Sequence, residues 1–335
     1  MGATPAMLDM KSFVVVATKG RAAQLLTLLD FLQRQTALAE LVVIVGAEEA
    51  DIAGVASHPL MKHGQAGAVV SPCPGSSFQR NYGLELLEQR GLLANSNFFC
   101  AFFDDDFRMA DDWLSRAGER FAAGGIVGLT GMILGDGVRD GGYSEDYALA
   151  LLSGDAPREE HWATGFRERD TGSVYGCNMA FSDTVIRNVR FDENLPLYAW
   201  QEDHDYTAQA RRFGRVIYWP NCRGVHLGAQ NGGRARGLPF GYSQIANPIY
   251  LMRKGTMEPN WTLKFVTRAL ASNILHSLGQ NRQVDYRGRL RGNLTAIADL
   301  LSRRLSPHKI LSLYPPCPTA DAGAFAPSAT KTAAD

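Results

Sequence analysis

The sequence predicts an α/β protein whose central, mostly parallel sheet is covered on both faces by helices. Short apolar runs, several of them rich in valine, alternate with segments of about 10–15 residues that carry apolar side chains at helical spacing. This alternation is typical of strand–helix–strand units, which place parallel strands side by side. The composition agrees with a soluble globular protein, because 45% of the 335 residues are apolar and 20% are charged.

Five strands and four helices are predicted in the first 134 residues. The strands cover residues 12–17, 40–46, 66–71, 97–103 and 125–134. The helices cover residues 21–35, 48–56, 76–90 and 111–123. Ser76 or Ser77 is expected to cap the third helix, and Asp111 and Asp112 suit the start of the fourth.

The rest of the chain is less regular. Residues 135–172 are rich in Gly, Asp and Arg without clear periodicity, which is typical of functional or mobile segments. A strand at 172–181, a helix at 182–189, a helix up to residue 212 and a strand at 215–219 follow. Three helices are then expected at 242–254, 261–278 and 287–304. These patterns divide the chain into a catalytic domain (1–241, with halves at about 12–133 and 134–241), a helical extension (242–312) and a disordered tail (313–335).

Charge and cysteine usage narrow the possible partners and compartment. The 34 basic and 34 acidic residues balance, so nothing indicates nucleic acid binding. The five cysteines form no Cys-x-x-Cys pair, which favours a reducing cytoplasm. No apolar run reaches the roughly 18 residues of a transmembrane helix, and the first ten residues lack a signal-peptide pattern. Residues 253–309, in contrast, hold eleven Lys or Arg against three acids, as a membrane-surface patch, a subunit contact or a solvated face would.

Three consecutive carboxylates, Asp104, Asp105 and Asp106, follow the fourth predicted strand. Because adjacent carboxylates repel one another, a positive partner is expected there, most simply a divalent cation. The alternative is an acidic turn that caps the next helix. Residues 18–21 and 46–48 also follow predicted strands. Since ligands bind beyond the carboxyl ends of parallel strands, these groups are expected to converge.

Seven motifs follow one another between residues 12 and 254. They are residues 16–21 (VATKGR), 79–83 (QRNYG), 104–106 (DDD), 176–180 (GCNMA), 191–193 (FDE), 202–205 (EDHD) and His226. In this order they resemble the family 2 inverting glycosyltransferases, which have the nucleotide-diphospho-sugar transferase (GT-A) fold. One departure is that Gly46 and Ala47, with Glu48 nearby, stand where many relatives carry an acid that contacts the nucleotide base. The identity of the nucleotide therefore stays open.

The resemblance implies transfer of a sugar from a nucleotide-diphospho-sugar of UDP, GDP or dTDP type to a hydroxyl of a glycan or lipid-linked acceptor. Surface polysaccharide synthesis would be the setting, and Mg²⁺ or Mn²⁺ the cofactor. Asp203 would be the catalytic base, and Glu202 would orient it or bind an acceptor hydroxyl. Asp106, Asp104 and His226 would hold the metal. The alternative for the acids at 202–205 is that they only cap a helix.

The resemblance also implies a binding site for the donor. Its residues would be Thr18, Arg21, Arg80, Asn81, Asp104, Asp105 and Asn178. Arg80 suits either the diphosphate or a pair with the Asp cluster, while Asn81 would fix its loop. A Gly-rich loop with Arg234 and Arg236 could order over the diphosphate or stay disordered. Trp162, Trp200 and Tyr198 could stack on sugars or belong to the core.

Two other functions compete with this interpretation. A sugar-phosphate nucleotidyltransferase would need a Gly-rich loop after the first strand, and residues 18–21 hold a single glycine. A catalytically silent sugar- or lipid-binding relative would not need Asp203. An oxidoreductase is disfavoured because no Gly-x-Gly-x-x-Gly follows a predicted strand. By resemblance, the basic C-terminal helices would contact the cytoplasmic face of the plasma membrane.

Overall fold

The computed structural model describes residues 10–138, 141–229, 236–279 and 284–313. Their strands form one nine-stranded sheet. The strands are β1 (Lys11–Thr18), β2 (Leu41–Gly46), β3 (Ala66–Val70), β4 (Phe98–Asp104), β5 (Phe107–Met109), β6 (Gly128–Asp136), β7 (Arg169–Asp170), β8 (Asn178–Ser182) and β9 (Val216–His226). The α-helices are α1 (Ala22–Gln33), α2 (Pro59–Lys62), α3 (Ser76–Gln89), α4 (Trp113–Ala122), α5 (Glu145–Ser153), α6 (Asp183–Asn188), α7 (Glu202–Ala210), α8 (Gly237–Lys254), α9 (Pro259–Ser277), α10 (Tyr286–Leu301) and α11 (Ile310–Leu313).

The predicted mostly parallel sheet is confirmed. The strand order is β3-β2-β1-β4-β8-β6-β9-β5, and β7 pairs with β9. Strands β3, β2, β1 and β4 run parallel, β8 is antiparallel to both β4 and β6, and β9 is parallel to β6. The carboxyl ends of β1, β2, β4, β6 and β9 therefore lie at one edge of the sheet.

Helices cover both faces of the sheet because the strand residues alternate between two apolar clusters. On one face, Val14 and Val16 of β1 belong to a cluster with α1 and α4, which contributes the fully buried Trp113. On the other face, Val15 belongs to a cluster with α3, α6 and α7, which contributes the buried Tyr206. Because both faces are apolar, the polar side chains of the strands gather at the carboxyl edge of the sheet.

Several predicted elements differ from the observed ones for local reasons. The α3 cap is Gly75 at φ +142°, not Ser76 or Ser77, because Ser76 is already the first helical residue. The helix predicted at 48–56 consists of two 3₁₀ turns interrupted by Gly54 at φ +81°. The strand predicted at 172–181 begins only at Asn178.

Other differences arise because the spacing of apolar residues along the sequence did not indicate the element. Residues 135–172 contain α5, which Ser144 caps through a hydrogen bond from the Tyr147 amide. Strand β9 continues to His226, past the predicted end at residue 219, and its pairing with β6 shifts register between Gly131 and Met132. The short strand β5 follows the aspartates directly and pairs with β9.

The three predicted C-terminal helices are present as α8, α9 and α10. They share a buried cluster that includes Tyr242, Ile245, Ala246, Ile249 and Ala296. Helix α8 begins at Gly237, before the predicted domain boundary at 241/242. None of the described helices is long and apolar enough to cross a membrane. Arg234 and the tail predicted to be disordered, except for residue 313, lie outside the described residues.

Candidate active site

The carboxyl edge of the sheet gathers the polar residues that end its strands. Thr18 ends β1, Asp104 ends β4, Asp136 ends β6 and His226 ends β9, while Asn178 starts the antiparallel β8 at the same edge. The predicted convergence of sequence-distant groups at this edge is therefore observed. These groups define the site through their contacts with one another.

The turn that follows β1 provides the Asp cluster with one positive charge, from Arg21, and one hydroxyl donor, from Thr18. Thr18 Oγ1 donates a hydrogen bond to Asp105 Oδ2 at 2.7 Å, and Arg21 Nε lies 2.8 Å from Asp105 Oδ1. Arg21 Nη1 also donates to Asp106 Oδ2 at 2.9 Å. Burial raises the pKa of Asp105 to about 7, although Arg21 opposes the shift. Thr18 and Arg21, expected at the nucleotide, thus contact the aspartates directly.

Asp104, Asp106 and His226 form a group that could hold a metal ion. One ligand atom from each lies within 4.8 Å of the others. His226 Nε2 lies 3.4 Å from Asp106 Oδ1, a buried oxygen that accepts no hydrogen bond from the described residues. The other Asp106 oxygen accepts the Ala229 amide at 2.9 Å. Two carboxylates and one imidazole fit Mn²⁺ well and Mg²⁺ less well.

The charges around this group fix the protonation of His226. Burial disfavours the charged imidazole, but Asp106 and Asp136 outweigh it and raise the pKa of His226 to about 10. Burial also opposes ionisation of Asp106, but His226 and Arg21 hold the pKa of that carboxyl well below its usual range. Without a cation, His226 therefore carries both ring protons at neutral pH. A cation bound at Nε2 must displace one of them.

A second layer of side chains holds His226 from behind, and the sequence analysis missed it. Asp136 Oδ1 lies 2.9 Å from His226 Nδ1, and Tyr175 donates its hydroxyl to Asp136 Oδ2 at 2.9 Å. His161 Nε2 lies 3.6 Å from the same Asp136 oxygen. The position of Asp136 at a strand end could have identified it, as it identified Asp104. The predicted strand stopped two residues short, at 134.

The predicted catalytic acids lie on the other side of the site. Glu202 and Asp203 open α7, after Gln201 in a left-handed conformation with φ +77°. Asp203 accepts the Gly176 amide at 3.0 Å and the His204 amide at 2.8 Å. Burial raises the pKa of Asp203 above its ordinary value, and it raises the pKa of Glu202 to about 7. Both carboxyls therefore hold a proton more readily than ordinary acids, which is the direction that favours a general base.

Arg80 links the catalytic acids to the metal side. Its guanidinium, 2% exposed, donates to Glu202 Oε1 at 2.6 Å and to Asp104 Oδ1 at 2.9 Å. Of the two roles considered for Arg80, the structure shows the pair with the Asp cluster. The guanidinium also donates to the Gly176 carbonyl at 3.2 Å. One buried cation thus joins β4, the start of α7 and the segment before β8.

The segment of Tyr175 and Gly176 touches both sides of the site. The Tyr175 hydroxyl contacts Asp136 and lies 3.3 Å from His226 Nδ1. The next residue, Gly176, binds Asp203 through its amide. A Cβ atom at Gly176 would lie 3.3 Å from Asp203 Oδ2, so the close approach favours glycine. The metal side and the base side are therefore joined through two consecutive residues.

Three residues singled out in the sequence make structural contacts. Asn81 lies within α3 rather than in a loop, and it joins this helix to the turn at 191–193 through Phe191 and Glu193. Asn178 is fully buried and accepts the Trp113 indole N–H at 3.0 Å. Asp205, the last acid of the 202–205 motif, is buried against Lys254 and Thr256.

The loop after β2 is organised by a residue that the sequence analysis missed. Asp51 is buried, and its carboxylate accepts the backbone amides of Gly20, Ala47 and Glu48 at 2.5, 2.9 and 2.9 Å. It therefore connects the turns after β1 and β2.

The aromatic candidates separate into two environments. Tyr198 and Trp200 are half-buried and pack edge-to-face on Phe240 of α8. Trp162 is 48% exposed and lies beside Tyr175. Trp162 therefore stands next to the residues gathered at the carboxyl edge.

The chain matches no family model and no curated protein. It does match solved structures. S. aureus TarS 1-349 in complex with UDP-GlcNAc is 14% identical with a TM-score of 0.56, and the match covers 91% of this chain and 84% of that one. The mannosyltransferase PcManGT from Pyrobaculum calidifontis, in complex with GDP-Man and Mn²⁺, is 14% identical with a TM-score of 0.51, covering 90% and 85%. The chain spans less than half, 44%, of GalNAc-T7 and of the longer S. aureus TarS chain. At this identity the likeness shows that the chain has the GT-A fold.

Proposed function

We propose that this GT-A chain is a metal-dependent, inverting glycosyltransferase. The observation that carries the proposal is the Arg80 bridge, which holds Asp104 of the candidate metal group and Glu202 beside Asp203 within one set of hydrogen bonds. A metal–diphosphate site and a carboxylate base must be neighbours, because the base acts on the acceptor hydroxyl while that hydroxyl attacks the anomeric carbon. The GT-A fold supports the same conclusion.

Asp104, Asp106 and His226 would hold the cation. When bound, a divalent cation neutralises the charge that develops on the diphosphate leaving group. Arg21, which contacts Asp105 and Asp106, adds a second positive charge at the same place. His226 favours Mn²⁺ over Mg²⁺, because imidazole suits manganese better. Thr18, Asp104 and Asp105 are proposed to contact the nucleotide as well as one another.

Asp203 is proposed to remove the proton from the acceptor hydroxyl. Its two oxygens accept the Gly176 and His204 amides, so the carboxylate is oriented before any acceptor arrives. The raised pKa makes it a stronger base than an ordinary aspartate. Glu202, held by Arg80, is proposed to orient the acceptor. Attack from the side opposite the diphosphate inverts the anomeric centre.

The donor is proposed to be a nucleotide-diphospho-sugar of UDP, GDP or dTDP type. TarS 1-349 was solved with UDP-GlcNAc and PcManGT with GDP-Man and Mn²⁺, which supports this class of donor without selecting the base. The acceptor is proposed to be a glycan or a lipid-linked glycan in surface polysaccharide synthesis. On this proposal residues 1–241 are the catalytic domain and residues 242–312 its helical extension.

The test is turnover of a panel of UDP-, GDP- and dTDP-sugars with Mn²⁺. We expect release of one nucleoside diphosphate, and Asp203→Asn should slow it by about 10²–10⁴-fold while nucleotide binding persists. Asp146→Asn, which changes an exposed acid in the first turn of α5, is the matched control and should leave the rate unchanged. Full turnover by the Asp203→Asn enzyme would refute the assignment of the base. An unchanged anomeric configuration in the product, measured by NMR, would refute inversion.

The C-terminal helices are proposed to contact the cytoplasmic face of the plasma membrane. The outward side of α9 carries exposed apolar residues together with bases and no acid: Trp261, Leu263, Lys264, Arg268, Ile274 and Leu275. Apolar side chains flanked by lysine and arginine suit an anionic lipid surface. In flotation assays at low salt, the protein should rise with phosphatidylglycerol vesicles, and Lys264→Glu with Arg268→Glu should abolish this. If the unaltered protein stays in the soluble fraction, the proposed membrane contact is refuted.

A further inference from the structure

An aromatic wall beside the candidate active site has no part in the mechanism proposed above. It consists of His161, Trp162 and Tyr175. The Trp162 ring centroid lies 6.0 Å from that of Tyr175, and the Tyr175 centroid lies 5.6 Å from that of His226. His161 packs against both Trp162 and Tyr175, at 5.5 and 5.2 Å. A row of rings therefore leads from solvent to the candidate metal group.

Trp162 is exposed although its backbone is firmly held. Its carbonyl accepts a hydrogen bond from Arg169 Nη2 at 2.6 Å. The neighbouring Ala163 carbonyl accepts the Ile133 amide of β6 at 2.9 Å, and the Ala163 amide donates to His161 Nδ1 at 3.1 Å. Nearly half of the indole, 48%, still faces solvent. A large aromatic side chain on a fixed, exposed turn is typical of a binding surface, because leaving apolar area in water is unfavourable.

The wall lies close to both reacting sides of the site. Tyr175, on which Trp162 packs, contacts Asp136 and His226, and Gly176 next to it binds Asp203. A pyranose ring that stacked on Trp162 would therefore be separated from Asp136 and His226 by the Tyr175 ring alone. Asp136 and His161 provide hydrogen-bonding groups at the margin of the aromatic surface. Aromatic faces with a few polar groups are the chemistry that binds sugar rings.

We propose that Trp162, supported by Tyr175 and His161, is a stacking subsite for a pyranose ring. The inference rests on the proposed glycosyltransferase function and adds to it the residue that contacts the sugar. The ring could belong to the transferred sugar or to the acceptor. Both present the same apolar C–H face to an indole, so the experiment distinguishes them.

The experiment is isothermal titration calorimetry with Mn²⁺ on the unaltered protein and on Trp162→Ala and Trp162→Phe. The ligands are UDP, GDP, dTDP and CDP, the corresponding sugar nucleotides, and methyl pyranosides added to the nucleotide-saturated protein. Trp261→Ala is the matched control, since Trp261 is 44% exposed but lies on α9. Each variant is compared with the unaltered protein at the same pH and salt concentration.

Trp162→Ala should bind the free nucleotide as tightly as the unaltered protein and should bind one sugar-bearing ligand about tenfold more weakly. Trp162→Phe should restore part of the loss, and Trp261→Ala should change nothing. A loss confined to the sugar nucleotide identifies the transferred sugar, and a loss confined to the methyl pyranoside identifies the acceptor. Unchanged sugar affinity in Trp162→Ala would overturn the subsite while leaving the proposed function intact. If the unaltered protein binds no nucleotide, the proposed function fails and the subsite falls with it.

Discussion

Arg80 is the residue through which the two sides of the candidate site depend on each other. Arg80 uses a separate guanidinium nitrogen for each of Glu202 and Asp104, whereas a lysine at this position would have to reach both carboxylates from one nitrogen. Arg80 is also nearly inaccessible, which makes the loss of its charge costly for the carboxylates around it. The sequence analysis had left its role open between the diphosphate and the Asp cluster.

The raised pKa values of Asp203 and Glu202 predict a rising pH–rate profile. A base must be ionised to act, so kcat/KM should be low at acidic pH and increase as the pH rises through the raised pKa values of the two acids, of which that of Glu202 is about 7. Steady-state rates at saturating Mn²⁺ between pH 5.5 and 8.5 would measure it. Glu202→Gln removes a neighbouring negative charge and should move the rising limb to lower pH. A rate that falls with pH across this range would contradict the assignment of the base.

The doubly protonated His226 predicts that metal binding releases a proton. Because the pKa of His226 is raised to about 10, Mn²⁺ at Nε2 must displace a proton at pH 7. Apparent affinity for Mn²⁺ should then increase about tenfold for each pH unit between 6 and 8. Calorimetry in buffers of different ionisation enthalpy should show that the unaltered protein releases about one proton more per ion than His226→Gln does. Equal affinity at pH 6 and pH 8 would rule out His226 as a ligand.

At the level of residues, strand-end logic predicted that Thr18, Arg21 and the three aspartates would gather, whereas His226 joined the metal group only through the resemblance. Strand-end logic did not predict Tyr175 or His161, because Tyr175 lies before the start of β8 rather than at the carboxyl end of a strand, and His161 lies in a segment without periodicity. Both reach the site only through tertiary packing. Asp136 was missed because the predicted strand stopped at residue 134, whereas β6 continues to Asp136. Arg21 and Thr18 were placed correctly at the site but not against their partners, because spacing along the chain does not specify which side chain meets which acid.

At the level of elements, Asp205 connects α7 to the end of α8. Its carboxylate is buried and accepts hydrogen bonds from Thr256 Oγ1 at 2.6 Å and Lys254 Nζ at 2.8 Å. The start of α7, with Glu202 and Asp203, is therefore held by the C-terminal helices. The first turn of α7 therefore contains the proposed base, Asp203, and also Asp205, which attaches the helix to the end of α8.

Thr256→Val should destabilise the protein, because it leaves a buried Asp205 oxygen without its hydroxyl partner. We expect the free energy of unfolding to fall by about 1–3 kcal/mol, measured by urea denaturation. Thr267→Val on α9 is the matched control, since the exposed Thr267 bonds only to its own helix. That change should stay within about 0.5 kcal/mol. Equal stability of the Thr256→Val and unaltered proteins would mean that this contact does not hold α7.

Element boundaries were harder to predict than element types. Gly75 replaces the predicted serine cap because its φ of +142° is a conformation that L side chains rarely adopt. Strand β9 passes through Pro220, a residue that usually ends a strand, and the register shift against β6 accommodates it. Helix α5 was overlooked because its nine residues lie inside a Gly-rich stretch.

At the level of the whole molecule, the sheet class followed from alternating apolar runs and helical periods. The order of the strands did not, because the antiparallel β8 between β4 and β6 is a long-range pairing. The order of the motifs, through the resemblance, predicted the GT-A fold, and the solved structures agree with this prediction. The C-terminal helices were predicted as helices, but their contacts with residues 192–205 were not.

The central claim is that the carboxyl edge of the sheet binds a nucleoside diphosphate through a divalent cation. The measurement that tests it most directly is a thermal-shift titration with UDP, GDP, dTDP and CDP, each with Mn²⁺, Mg²⁺ or EDTA. One nucleotide should raise the melting temperature with Mn²⁺, by the equivalent of about 2.7 kcal/mol at 100 times its Kd. The rise should disappear with EDTA and in Asp106→Asn. No rise with any nucleotide in either metal, or an equal rise in EDTA, would contradict the claim.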